Sequence, residues 1–222
     1  MGLEILYRAC CLLGGYCFGL FQTAYIIGKL HHIDIREYGS GNSGATNALR
    51  VLGKKAGAMV FLGDLLKCIF ACLIARIVFN HIQPDLTLLM VIYTGLGVVI
   101  GHVFPFYMNF NGGKVVSSAG AAVISLFDYR ITLACLVVFI LVVAISRYVS
   151  LGSIILMLQM WTMYTIFVML NPDFYHLGVE YRLESIIVLG LLGGLSIYKH
   201  KANIGRLLRG EENKLGQKKA EA

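Results

Sequence analysis

Residues 86–102 read LTLLMVIYTGLGVVIGH, seventeen positions without one Asp, Glu, Lys or Arg. A helix of that length rises roughly 25 Å against the ~30 Å hydrocarbon core of a bilayer, so an uncharged run of this size reads as a membrane span. Predominantly apolar runs recur on both sides, at 5–28, 56–80, 115–127, 131–145, 151–170 and 183–198, with few charged residues inside them. The whole chain is 58% hydrophobic and 14% charged, with a mean hydropathy of +0.75. Soluble domains hold roughly 45–50% apolar and ~25% charged residues, and the excess here has to face lipid. The sequence therefore predicts an all-α integral membrane protein of about seven transmembrane helices. Residues 1–210 form one transmembrane domain, and 211–222 form a charged cytoplasmic tail expected to be disordered. The fourth and fifth spans are short and divided at Asp128, Tyr129 and Arg130; they read either as full spans or as half-spans that enter and leave on one side. The run after Glu4 continues past signal-peptide length, so no leader is expected to be removed.

Lys and Arg fix the expected orientation. Between alternate spans lie Lys29, Arg36, Arg50, Lys54, Lys55, Lys114, Arg147, Lys199, Lys201, Arg206, Arg209, Lys214, Lys218 and Lys219; the opposite segments hold only Arg8, Arg130 and Arg182. The first set marks the cytoplasmic face, with the N-terminus outside and the C-terminus inside. Six cysteines, Cys10, Cys11, Cys17, Cys68, Cys72 and Cys135, sit within apolar runs and lack metal-site spacing, so neither a disulfide nor a metal is expected.

Four polar segments on that face carry the chemistry. The first, from Asp34 to Arg50, contains Gly39, Gly41 and Gly44 with Ser40, Asn42, Thr46 and Asn47. Glycines let backbone approach a ligand closely, short polar side chains add hydrogen bonds and Arg50 adds a fixed charge, a composition suited to an oxyanion. It lacks the Gly-Lys-Ser/Thr of a nucleotide-binding phosphate loop. In the second, Gly112, Gly113 and Lys114 open an apolar run, where free amides and an ammonium would meet one anion. The third, Arg147 to Ser153, is a short turn suited to an interfacial anchor. In the fourth, His200, Asn203 and Arg206 share a helical face. Asp64 and Lys67, three apart inside the second run, read as a neutralising pair.

As an ordered set these motifs resemble the bacterial acyl-phosphate:glycerol-3-phosphate acyltransferase family. The carriers are Gly-Ser-Gly-Asn-Ser-Gly-Ala-Thr-Asn at 39–47, Asp64 with Lys67, Gly-Gly-Lys at 112–114, Arg-Tyr-Val-Ser-Leu at 147–151 and His-Lys-Ala-Asn-Ile-Gly-Arg-Leu at 200–207. The resemblance runs from about Gly19 to Arg209. It implies an inner-membrane enzyme with a cytoplasmic active site, in which the 1-hydroxyl of glycerol 3-phosphate takes the acyl group of acyl phosphate, giving lysophosphatidic acid and phosphate for phospholipid synthesis. It implies no cofactor, since the donor is already an activated anhydride, and other phospholipid-synthesis enzymes as partners. Residue by residue, Ser40, Gly41 and Asn42 fall on the family's first phosphate loop, Arg50 and Lys114 on its cationic ligands, and Ser150, His200 and Asn203 on its remaining polar positions. His200 stands either as general base or as phosphate ligand. Three departures are Val115 for glycine, Asn111 for a basic residue and Leu20 for serine. The competing classes are a divergent, non-catalytic lipid-binding or regulatory paralogue on the same scaffold and a small transporter. Transport would predict an internal repeat and ionisable groups near the midplane; the polar residues concentrate instead at one interface.

Overall fold

The structure is a computed structural model that describes residues 2–113, 128–171 and 176–216. Nine α-helices are found among them: α1 (Gly2–Gly19), α2 (Thr23–Leu30), α3 (Ala45–Leu52), α4 (Lys54–Ile82), α5 (Thr87–Val103), α6 (Tyr129–Ser146), α7 (Val149–Leu170), α8 (Arg182–Lys199) and α9 (Lys201–Leu208). The described residues contain six stretches long and apolar enough to cross a membrane: Gly2–Leu30, Lys54–Ile82, Pro84–Met108, Tyr129–Ser146, Val149–Leu170 and Val179–Lys199. They coincide with six of the seven expected runs. The fourth, 115–127, lies outside the described residues. The fifth is one unbroken helix of 18 residues, about 27 Å of rise, which suits a full span better than a half-span.

Helix α5 is the buried centre, packed against α1, α4 and α8, while α6 pairs with α7, and α7 with α8. Lipid supplies no hydrophobic force to join helices, so close backbone approach must do so. Gly15 and Gly19 on α1 face Gly97 and Gly101 on α5: a Cβ at these positions would strike the carbonyls of Thr94, Val98, Leu12 and Tyr16 respectively. Large apolar side chains such as Phe61, Phe70, Ile74, Leu136 and Ile140 are exposed on the outer surfaces, where lipid replaces water as their solvent.

The chain breaks between α1 and α2, and the buried Gln22 amide donates there to the carbonyls of Gly19 and His102, at 3.2 and 3.0 Å. This partners carbonyls that the two helix ends would leave unsatisfied. Close by, the Tyr107 hydroxyl donates to the Leu20 carbonyl. The C-terminal ends of α5 and α8 lie together, with the Lys199 ammonium 5.0 Å from the centre of the Phe104 ring. At the opposite end, the Gly178 amide donates to the Asp85 carbonyl. There Arg8 grips Glu184 with two hydrogen bonds of 2.6 and 2.7 Å, Tyr93 donates to the same carboxylate, and Glu4 approaches Arg8 and accepts from Tyr181.

Candidate active site

Four polar segments lie at the end where α5 and α8 finish, the first packed against the second and the third against the fourth. The first is built around Asn47. Its side chain is buried; the amide nitrogen donates to the carbonyls of Ile35 and Tyr38, and its oxygen accepts from the Ser40 amide at 2.8 Å. Asn47 was expected as a ligand, but the structure makes it the internal brace of the loop. Gly39 and Gly41 take positive φ of 64° and 69°, a region that L side chains adopt only with strain. A Cβ at Gly39 would in addition strike the Asn47 oxygen.

With the brace in place, Ser40 and Gly41 are exposed and Asn42 is half-buried. Gly44 starts α3 with no side-chain cap; its carbonyl accepts from the Asn47 and Ala48 amides, each at 3.0 Å, so the Ala45 and Thr46 amides receive no cap acceptor from that residue. Thr46 and Arg50, at i and i+4, share the exposed face of α3, while Asn47 and Ala48 are buried on the other. Among the described residues Arg50 makes no ion pair. Upstream, the Arg36 guanidinium hydrogen-bonds Asp34 at 2.7 Å and holds its carboxyl down at about 2.

The Gly112–Gly113 turn departs from expectation. Both amides point inward and donate to carbonyls at the end of α5: Gly112 to Val103 at 3.1 Å and Gly113 to His102 at 3.0 Å. The glycines are needed for close approach instead of for donating outward. A Cβ on Gly112 would meet the His102 carbonyl and Pro105, and one on Gly113 would meet the His102 ring and, at 2.7 Å, the Ser43 carbonyl. The turn thus packs directly against the first loop. Ser43 is buried there, with a hydroxyl that has no hydrogen-bond partner among the described residues. Lys114 and Val115 lie outside the described residues; Asn111 is exposed.

The third and fourth segments meet on a residue beyond the last helix. The buried Glu212 carboxylate accepts from Ser150 Oγ at 3.1 Å, Asn203 Nδ2 at 2.7 Å and Arg206 Nε at 2.8 Å. The three candidate ligands are therefore brought together, around an internal anion. The Leu215 amide donates to the Arg147 carbonyl at 2.7 Å and the Arg147 guanidinium to the Leu215 carbonyl at 2.9 Å. Residues 211–216 accordingly pack onto the bundle, because Glu212 finds three donors and Arg147 a backbone partner. An acid within reach of Arg206 in a basic tail was the available signal. His200 is buried, with Nδ1 2.8 Å from the Ser196 carbonyl. A carbonyl only accepts, so Nδ1 carries the proton and a neutral ring has its lone pair on Nε2.

Among the described residues no group of three or more His, Cys, Asp or Glu is placed to hold a metal ion. The arrangement offers hydroxyl and cationic donors on one loop and places a buried imidazole at the same end of an apolar bundle. That suits transfer between a phosphorylated polar substrate and a lipid-like one.

A family model described as glycerol-3-phosphate acyltransferase matches residues 9–210. A glycerol-3-phosphate acyltransferase of Clostridioides difficile (strain 630) is 44% identical over 205 residues, covering 92% of this chain and 93% of that one. The glycerol-3-phosphate acyltransferase 2 of Bacillus anthracis is 39% identical over 206 residues, covering 92% and 97%. The fold is similar to the crystal structure of PlsY (YgiH), an integral membrane glycerol 3-phosphate acyltransferase, in its glycerol 3-phosphate form: TM-score 0.79, 32% identity, 94% of this chain and 96% of that chain covered.

Proposed function

This chain belongs to the glycerol-3-phosphate acyltransferase family, and from that membership we propose that it transfers an acyl group from acyl phosphate to the 1-hydroxyl of glycerol 3-phosphate. The products are lysophosphatidic acid and inorganic phosphate, and the step belongs to membrane phospholipid synthesis. The observation that supports the reading is that the 39–50 loop, the Gly112–Gly113 turn, Ser150 and the His200–Arg206 face lie at the same end of a lipid-facing bundle.

In the proposed reaction the exposed Ser40, Thr46 and Arg50, with Lys114 and the Asn42 amide, hold phosphate oxygens, while the Gly41 and Gly44 amides shape the loop by donating to the carbonyls of Tyr38 and Asn42, each at 3.0 Å. His200 Nε2 takes the hydroxyl proton while the hydroxyl oxygen attacks the acyl carbonyl. The carbonyl carbon to phosphate oxygen bond breaks, phosphate leaves with the electron pair, and the proton passes to it. A mixed anhydride is already activated, so positioning and charge stabilisation supply the catalysis. The decisive experiment gives the purified protein labelled glycerol 3-phosphate with acyl phosphate, acyl-CoA or acyl carrier protein in parallel. Lysophosphatidic acid is expected with acyl phosphate; turnover with acyl-CoA alone would overturn the donor.

The same reading places seven spans in the cell inner membrane, the N-terminus outside and the site end in the cytoplasm. Two things support it: the Lys/Arg asymmetry, and the placement of Gly113 at the site end while Asp128 starts α6 at the other. An Ala45→Cys variant in sealed, oriented vesicles should label only from the cytoplasmic side. Labelling from outside alone would reverse the topology.

A further inference from the structure

Beneath the loop and the glycine turn lies a buried polar chain for which the proposed reaction has no direct use. Lys67 is 6% exposed, and its ammonium has three donors. All three have acceptors: the Phe21 carbonyl at 2.7 Å, Asp64 Oδ1 at 2.8 Å and His102 Nδ1 at 2.8 Å. Thr23 donates to the same Asp64 oxygen at 3.1 Å. The charges cancel within the pair, yet pairing Asp64 with Lys67 needs neither the imidazole nor the α2 hydroxyl. What the extra contacts accomplish is orientation. With Nδ1 accepting from Lys67, the neutral His102 ring carries its proton on Nε2, the edge that lies against Gly113. The carbonyl of the same residue accepts from Gly113 and from Gln22, each at 3.0 Å. His102 therefore meets Gly113 through both backbone and ring, and Gly113 in turn abuts the Ser43 carbonyl.

We propose that Thr23, Asp64, Lys67 and His102 form a positioning chain that seats the Gly112–Gly113 turn against Ser43 and so fixes the separation of the two phosphate-binding segments. An ammonium with three fixed acceptors and a packed imidazole resist displacement, because moving either strands a buried polar group. All four act through the turn. Their loss should weaken phosphate binding more than it slows the chemical step. The proposal rests on the reading that this turn belongs to the substrate site.

The test compares Lys67→Met, His102→Ala and Gly113→Ala in the full-length protein, with kcat, KM for glycerol 3-phosphate, the inhibition constant of inorganic phosphate and thermal stability in detergent measured together. Lys67→Met and His102→Ala are expected to raise KM and the phosphate inhibition constant about tenfold, with kcat of the folded fraction within a few-fold. His102→Asn, which keeps an acceptor near the Nδ1 position, should recover part of the affinity and is read in place of any variant that does not fold. Unchanged KM in the folded variants, or activity lost only in proportion to folded protein, overturns the positioning role. Gly113→Ala separates the two readings: if it also leaves KM unchanged, the turn is not part of the substrate site.

Discussion

The two ends of the bundle each gather charged and polar side chains, and the loop and α3 face at one end treat them differently from the cluster at the other. At the far end Arg8, Glu184, Tyr93, Glu4 and Tyr181 satisfy one another, with a bidentate guanidinium–carboxylate pair at the centre. At the site end Arg50, Ser40 and Thr46 stand exposed on the loop and α3. A closed cluster stabilises and has no capacity left for a ligand, whereas an open cationic face gains most when an anion arrives.

The comparison predicts that charge removal reads out as activity at one end and as stability at the other. Arg50→Ala and Lys114→Ala should each lower turnover about a hundredfold while leaving folded protein in the membrane, since a charge-assisted hydrogen bond to phosphate is worth roughly 1.5–3 kcal/mol. An unchanged rate in an active preparation would remove both from the site. Glu212→Ala should lower turnover on the order of tenfold and loosen the tail, because Ser150, Asn203 and Arg206 lose the acceptor that orders them; protease sensitivity after residue 208 and the rate check it. Glu184→Gln should leave turnover per folded molecule intact and destabilise by about 2 kcal/mol, as Arg8 loses the nearer of its two charged partners. A thermal melt in detergent shows whether the loss falls on stability. The smallest effect concerns pH. Asp34 is depressed from 3.8 to about 2 first by the hydrogen bond from Arg36, so its contribution is present above about pH 4 and is lost as pH falls toward 2. Asp34→Asn should flatten that acid limb of stability by at most about 1 kcal/mol.

Much of this was legible in the residues. An uncharged run of bilayer length is a local property, so the spans at 86–102 and 151–170 could be read off the chain. So could the polar segments, which interrupt the runs. Asn47 and Gly113 were legible as site neighbours but not in their roles. An Asn in a glycine-rich loop looks the same whether its amide meets a ligand or the carbonyls of Ile35 and Tyr38. The place of Glu212 was not legible because one of its three donors, Ser150 on α7, lies 62 residues away along the chain, while Asn203 and Arg206 come from α9.

The sequence by itself determined the membrane class, the order of the helices and the family, because transfer of apolar runs into lipid is nearly additive along the chain and motif order survives without coordinates. Only the tertiary structure decided that Gly15, Gly19, Gly97 and Gly101 form one crossing, that Lys67 meets His102, and that Glu212 closes over Ser150. Directional contacts depend on which groups folding brings within about 3 Å, and no periodicity in the chain encodes that distance.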